Sequence, residues 1–121
     1  MMAKKEKFLT YLKEEKAACV WKEQELIQDE RKDEANLVRV QMNIYDIFGA
    51  LFNASVKETT EEGMVREVFG KKAETIPSTW KQSLELAKAH DDVKKIVIEE
   101  TKLKEAKKIW DAFERIWEES K

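Results

Sequence analysis

At 121 residues, 42% hydrophobic and 40% charged, the chain has enough apolar surface for one core, so disorder is excluded. Three glycines and one proline exclude an all-β sandwich or barrel, which needs turn residues about every 8–12 positions. The 23 Lys and Arg nearly cancel the 25 Asp and Glu, which excludes the basic face of a nucleic-acid binder.

Residues 4–56 contain no proline and one glycine, Gly49. Their apolar residues follow a heptad frame through Leu9, Leu12, Cys19, Leu26, Leu37, Val40, Ile44, Ile47 and Leu51. Phe8, Val20, Ile27, Tyr45, Phe48 and Phe52 widen it, whereas Lys16, Glu23, Glu30 and Asp33 thin its first part. A single helix here would be a rod near 75 Å long, against a radius of gyration of about 14 Å for a compact domain of this size. The polar run at 29–36 is therefore the expected break, with Asp29 or Asp33 capping the second helix. The unbroken rod is the alternative, suited only to an extended oligomer.

Thr59-Thr60-Glu61-Glu62 reads as a helix start, with acids at the positive end of the helix dipole. Met64, Val65, Val68 and Phe69 supply one or two apolar turns, and Gly70 stands as a left-handed terminator. A short helix near residues 60–69 and a loop through 71–75 are expected. Pro77 suits the first turn of the next helix, whose apolar face is Trp80, Leu84 and Ala87 with Leu86 beside it. His90-Asp91-Asp92 breaks the chain again, with Asp91 or Asp92 as an N-cap. The last helix has the cleanest stripe: Ile96, Leu103, Trp110 and Trp117 recur every seven residues. Ala106 and Phe113 lie between them, and Val93, Val97, Ile109 and Ile116 flank the seam.

The expected fold is all-α: an antiparallel bundle of about four long amphipathic helices plus the short helix near 60–69, in one domain over 1–121. The start lacks the apolar run of a signal peptide, and no stretch reaches the roughly 18 apolar residues of a membrane span. With a single cysteine, Cys19, the expectation is a soluble chain in the reducing cytoplasm, with no membrane partner.

Reactive constellations are scarce. A di-iron bundle needs two Glu-x-x-His motifs, but His90 is the one histidine and Ala87 precedes it by three. His90, Asp91 and Asp92 do not share a helix face, so they read as a junction rather than a ligand cluster. Glu30 with Asp33, and Glu58 with Glu61, have the spacing of a Mg²⁺ site in an all-α nucleotide hydrolase, but 25 acids produce such spacings by chance. Glu23 and Glu99 fall where burial is expected, and pairing with a basic side chain is the simplest account of both. Cys19 lies on the apolar stripe, and Ser55, Ser78, Ser83 and Ser120 share one histidine. No catalytic residue, metal ligand or cofactor is assigned.

Tryptophan is the compositional oddity: Trp21, Trp80, Trp110 and Trp117. Trp110, Phe113 and Trp117 form an aromatic strip close to the C-terminus, where a small bundle has little material left to cover it. These three are the candidate partner-binding residues. The leading expectation is a non-enzymatic interaction module that self-associates, with a dimer favoured, or binds a protein partner. The alternatives are a Mg²⁺-dependent all-α nucleotide or phosphate hydrolase and a bundle holding a small apolar ligand.

Overall fold

The computed structural model describes residues 3–118. Among them are four helices and no strand: α1 (Lys4–Gln28), α2 (Lys32–Glu58), α3 (Glu62–Ala89) and α4 (Val93–Glu118). Both expected breaks are present, and one local device makes them. After α1, Glu30 takes a left-handed φ of 61°, its N–H reaches the Ile27 carbonyl, and Arg31 N–H reaches Leu26 at 2.8 Å. After α3, Asp91 takes φ 52°, its N–H reaches Lys88, and Asp92 N–H reaches Ala87 at 2.9 Å. Each is a Schellman closure with a charged residue where glycine is usual.

Asp92 then caps α4 by accepting from Lys95 N–H at 3.2 Å. Neither Asp29 nor Asp33 caps α2: Arg31 holds that position, and its guanidinium pairs with Glu34 instead. Asp33 lies inside the first turn, where its charge still favours the dipole.

The expected short helix and the loop at 71–75 are replaced by one continuous helix, α3. Gly70 has a negative φ and terminates nothing, and Pro77 sits in the helix interior rather than its first turn. The reason is tertiary. Val65, Phe69, Ala73, Ile76 and Trp80 form an unbroken i, i+3, i+4 stripe on the core, and its burial outweighs the hydrogen bond that Pro77 cannot make. Ala73 and Ile76 bridge two apolar stretches that read separately in the sequence.

Cross-links give the antiparallel register: Arg39 to Glu23 at 2.8 Å between α2 and α1, Lys72 to Glu58 between α3 and α2, Arg66 to Glu114 between α3 and α4, and Lys108 to Glu15 between α4 and α1. The cross-section is a rhombus. The parallel helices α2 and α4 approach along its short diagonal, whereas no Cα of α1 comes within 8 Å of α3. Side chains close that gap. Phe8, Phe52, Phe69 and Phe113, one from each helix, meet fully buried at the centre. Phe8 lies 4.8 Å from Phe52, 5.2 Å from Phe113 and 5.6 Å from Phe69, all edge-to-face. A second, smaller cluster of Leu26, Ala35 and Val38 packs α1 on α2 near their turn.

Candidate functional site

The three aromatic residues singled out in the sequence occupy different depths. Phe113 is fully buried, and Trp117 is 6% exposed. Trp117 stacks on Phe113 at 4.2 Å and its indole N–H donates to the Glu62 carbonyl at 3.0 Å. Lys4 donates to the Trp117 carbonyl at 2.7 Å. The end of α4 is thus covered by the starts of α1 and α3, which the antiparallel topology brings to the same end. Trp110 alone of the three borders open surface, stacked on Phe113 at 5.1 Å and lying over Gly70. Val93 and Val97, expected beside the seam, are exposed, as is Leu86.

Trp110 forms part of a groove of about 1100 Å³ between α3 and α4. Its apolar lining is Phe48, Leu103, Ala106 and Trp110, with Gly63, Gly70, Ala73 and Pro77 along the α3 side. Gly63, Gly70 and Pro77 recur at seven-residue intervals, so small residues on α3 leave room for the groove between longer charged side chains. Gly70 and Pro77 are expected from the sequence as punctuation, and here they face the groove instead. A Cβ on Gly63 would meet nothing within 4 Å, and one on Gly70 would meet Trp110 at 3.4 Å.

The rim is charged. Arg66, Lys71, Lys81 and Lys107 stand around it with Glu67 and Glu74. Arg66 is engaged by Glu114, and Lys107 by Asp111 at 2.9 Å. Lys71 and Lys81 are exposed and have no ion-pair partner among the described residues.

A second polar assembly lies between α1, α2 and α4. Glu105 is 6% exposed, and burial raises its carboxyl above the ordinary carboxylate range, opposed by the Lys108 charge. The hydroxyls of Tyr11 and Tyr45 are buried close by, with Tyr45 set between the Tyr11 hydroxyl and the Glu105 carboxyl. Burial pushes the Tyr45 hydroxyl far up, and the Glu105 charge adds to it. For Lys108 burial acts downwards, but the Glu15 carboxylate at 3.2 Å and the Glu105 charge outweigh it, and its pKa is raised. Burial also raises the Cys19 thiol, which makes it a poor nucleophile. Among Lys102, Lys104, Lys107 and Lys108 the sequence places Glu105 on a solvated face, yet it is buried with Ile109, Ala112 and Ile116, which share its face at helical spacing.

Of the two carboxylates expected at core positions, both have a basic partner, although Glu99 Oε2 is buried without a hydrogen bond among the described residues. Glu23 accepts from Arg39, and buried Glu99 accepts from Lys102 at 3.2 Å while that ammonium sits 5.8 Å from the Trp80 ring centroid. Among the described residues no three His, Cys, Asp or Glu side chains are grouped to hold a metal ion. Ser120 lies outside the described residues. No helix among the described residues is long and apolar enough to cross a membrane. Comparison of the chain with protein-family models, with curated proteins and with solved structures finds no match.

Proposed function

We propose that this chain is a non-enzymatic interaction module that receives an acidic-flanked amphipathic helix in the α3/α4 groove. The supporting observation is the groove itself, with its apolar floor of Phe48, Leu103, Ala106 and Trp110 and a rim on which exposed Lys71 and Lys81 alternate with Glu67 and Glu74 while Arg66 and Lys107 are paired with Glu114 and Asp111. A helix lays an i, i+3, i+4, i+7 ridge into such a groove. Gly63, where a Cβ would meet nothing within 4 Å, lets it approach the α3 backbone closely, whereas Gly70 lies under the Trp110 ring. Carboxylates on its flanks then meet Lys71 and Lys81, which add selectivity and speed of encounter more than affinity.

The test is calorimetric titration with two synthetic helices of about 18 residues, enough to span roughly 27 Å. Both carry one Leu/Ala ridge; one has glutamate flanks and the other lysine flanks. The glutamate form is expected to bind, at least tenfold more weakly in a Lys71→Glu/Lys81→Glu variant and more weakly as salt rises. Equal binding of both helices, or of neither, contradicts the reading.

The same floor favours a second reading, a small apolar ligand. An anilinonaphthalene sulfonate dye that binds the groove while neither helix does would support it.

A further inference from the structure

Lys108 stands between two carboxylates that belong to different helices. Its Nζ lies 3.2 Å from Glu15 of α1 and 3.9 Å from Glu105, one turn earlier on its own helix. The first contact ties α4 to α1, whereas the second ties α4 only to itself. Glu105 is buried, and Tyr45 of α2 sits between its carboxyl and the Tyr11 hydroxyl of α1. Three helices therefore meet on this one acid.

The stretch of α1 beside this cluster is weakly held. α1 buries Phe8 and Leu12 before it and Leu26 after it, but no side chain from 13 to 25 is fully buried. Trp21, the largest side chain of the stretch, is 70% exposed and adds little to its docking. Two ion pairs join the stretch to α2, Lys16 to Asp46 at 2.6 Å and Glu23 to Arg39 at 2.8 Å. Towards α4, Glu15 with Lys108 is its one ion pair among the described residues, and no Cα of α1 comes within 8 Å of α3.

The proton on Glu105 decides which carboxylate Lys108 serves. When Glu105 is neutral, the ammonium charge goes to Glu15 across the seam. When Glu105 is ionised, it competes for Lys108 and repels Glu15, with Lys104 the other cation acting on it. Its charge then also faces the Tyr11 and Tyr45 hydroxyls and the Cys19 thiol, which cannot neutralise it. A buried charge gains by reaching water, and the loosely packed stretch of α1 covers this one from one side.

We propose that Glu105 and Lys108 form a proton-operated latch on α1. With Glu105 protonated, residues 13–25 stay closed on α4. With Glu105 ionised, the Lys108 bridge to Glu15 gives way and this stretch opens locally, while the four central phenylalanines stay packed. Burial raises the Glu105 carboxyl above its ordinary range, so the closed form holds the proton more tightly than the open one. Closure is thus favoured in acid and lost as pH rises through the folded value.

Hydrogen exchange read by mass spectrometry tests this between about pH 5 and about pH 8, above the ordinary glutamate value of about 4.3 and below the lysine value of about 10.4. Each rate is divided by that of the unfolded chain at the same pH. Amides of residues 13–25 are expected to lose protection about two- to fivefold as pH rises, the factor that one partly exposed ion pair supplies. At the upper pH they should exchange faster than amides around Phe52 and Phe113, which report opening of the whole core. Glu105→Gln should keep the stretch protected at both pH values, and Glu15→Gln should leave it exchanging fast at both. Wild-type protection indifferent to pH overturns the latch, and so does a pH response that survives Glu105→Gln and belongs to another group such as His90. Exchange of α1 only as fast as the core overturns local opening, and a wild-type pH response in Glu15→Gln overturns the part given to Lys108.

Discussion

Glu105 shows what one buried acid does to this molecule. Its carboxyl titrates above its ordinary value because burial penalises the charged form, and Lys108, at 3.9 Å, offsets this only in part. A raised folded-state pKa means that the folded chain holds the proton more tightly than the unfolded chain. The stabilisation is complete below the unfolded value of about 4.3 and is lost as pH rises through the folded value. Glu105→Gln is therefore expected to raise stability at pH 7 by about 1 kcal/mol and to leave it nearly unchanged in acid. Thermal melts of both chains across that pH range check the difference, which isolates Glu105 from Glu15, Tyr11 and Tyr45. Trp117 acts in the opposite sense. Trp117→Ala removes a buried ring that stacks on Phe113 and leaves the Glu62 carbonyl without its indole donor. A loss of about 3–5 kcal/mol in denaturant unfolding is expected. Its place at the end of α4 suggested exposure, but end-on coverage depends on where the other helices begin, and heptad spacing carries no such information.

The elements were legible wherever apolar spacing was continuous, and obscure wherever a single residue type was read as punctuation. The stripe through Ile44, Phe48 and Phe52, and the one through Ile109, Phe113 and Ile116, needed only periodicity. Gly70 and Pro77 misled because their local preferences were weighed without the Val65–Phe69–Ala73–Ile76–Trp80 face that holds α3 together. The two tight turns needed no glycine because hydrogen bonding across each turn compensates a strained φ. That strain is itself testable. Glu30 is exposed and left-handed, so Glu30→Gly removes the Cβ penalty while keeping the Schellman bonds of Arg31 and Glu30. A gain of about 0.5–1 kcal/mol is expected in denaturant unfolding, reduced by the greater entropy of the unfolded glycine chain. A loss of stability would mean that the Glu30 side chain contributes more than its backbone costs.

At the scale of the whole molecule, the rhombic section decides which surfaces remain available. The short α2–α4 diagonal and the four central phenylalanines use up the inward faces of all four helices. The α3/α4 edge is left with a groove, because α3 presents Gly63, Gly70 and Pro77 where bulkier residues would fill it. The helical class and the two breaks were readable from spacing and composition. The groove was not, because its lining combines positions from three helices that share no sequence frame. The same holds for the pairing of Lys71 and Lys81 on one rim and for the exposure of Trp21, which a heptad frame leaves undetermined. The three glycines offer the most direct measurement. Gly63 and Gly70 line the groove, whereas Gly49 faces Leu12 of α1 at 3.9 Å. In protein labelled with ¹⁵N-glycine, the glutamate-flanked helix is expected to shift the Gly63 and Gly70 amide resonances and leave Gly49 in place. Resonances of Gly63 and Gly70 that stay fixed at saturating peptide would contradict the assignment of this groove as the docking surface.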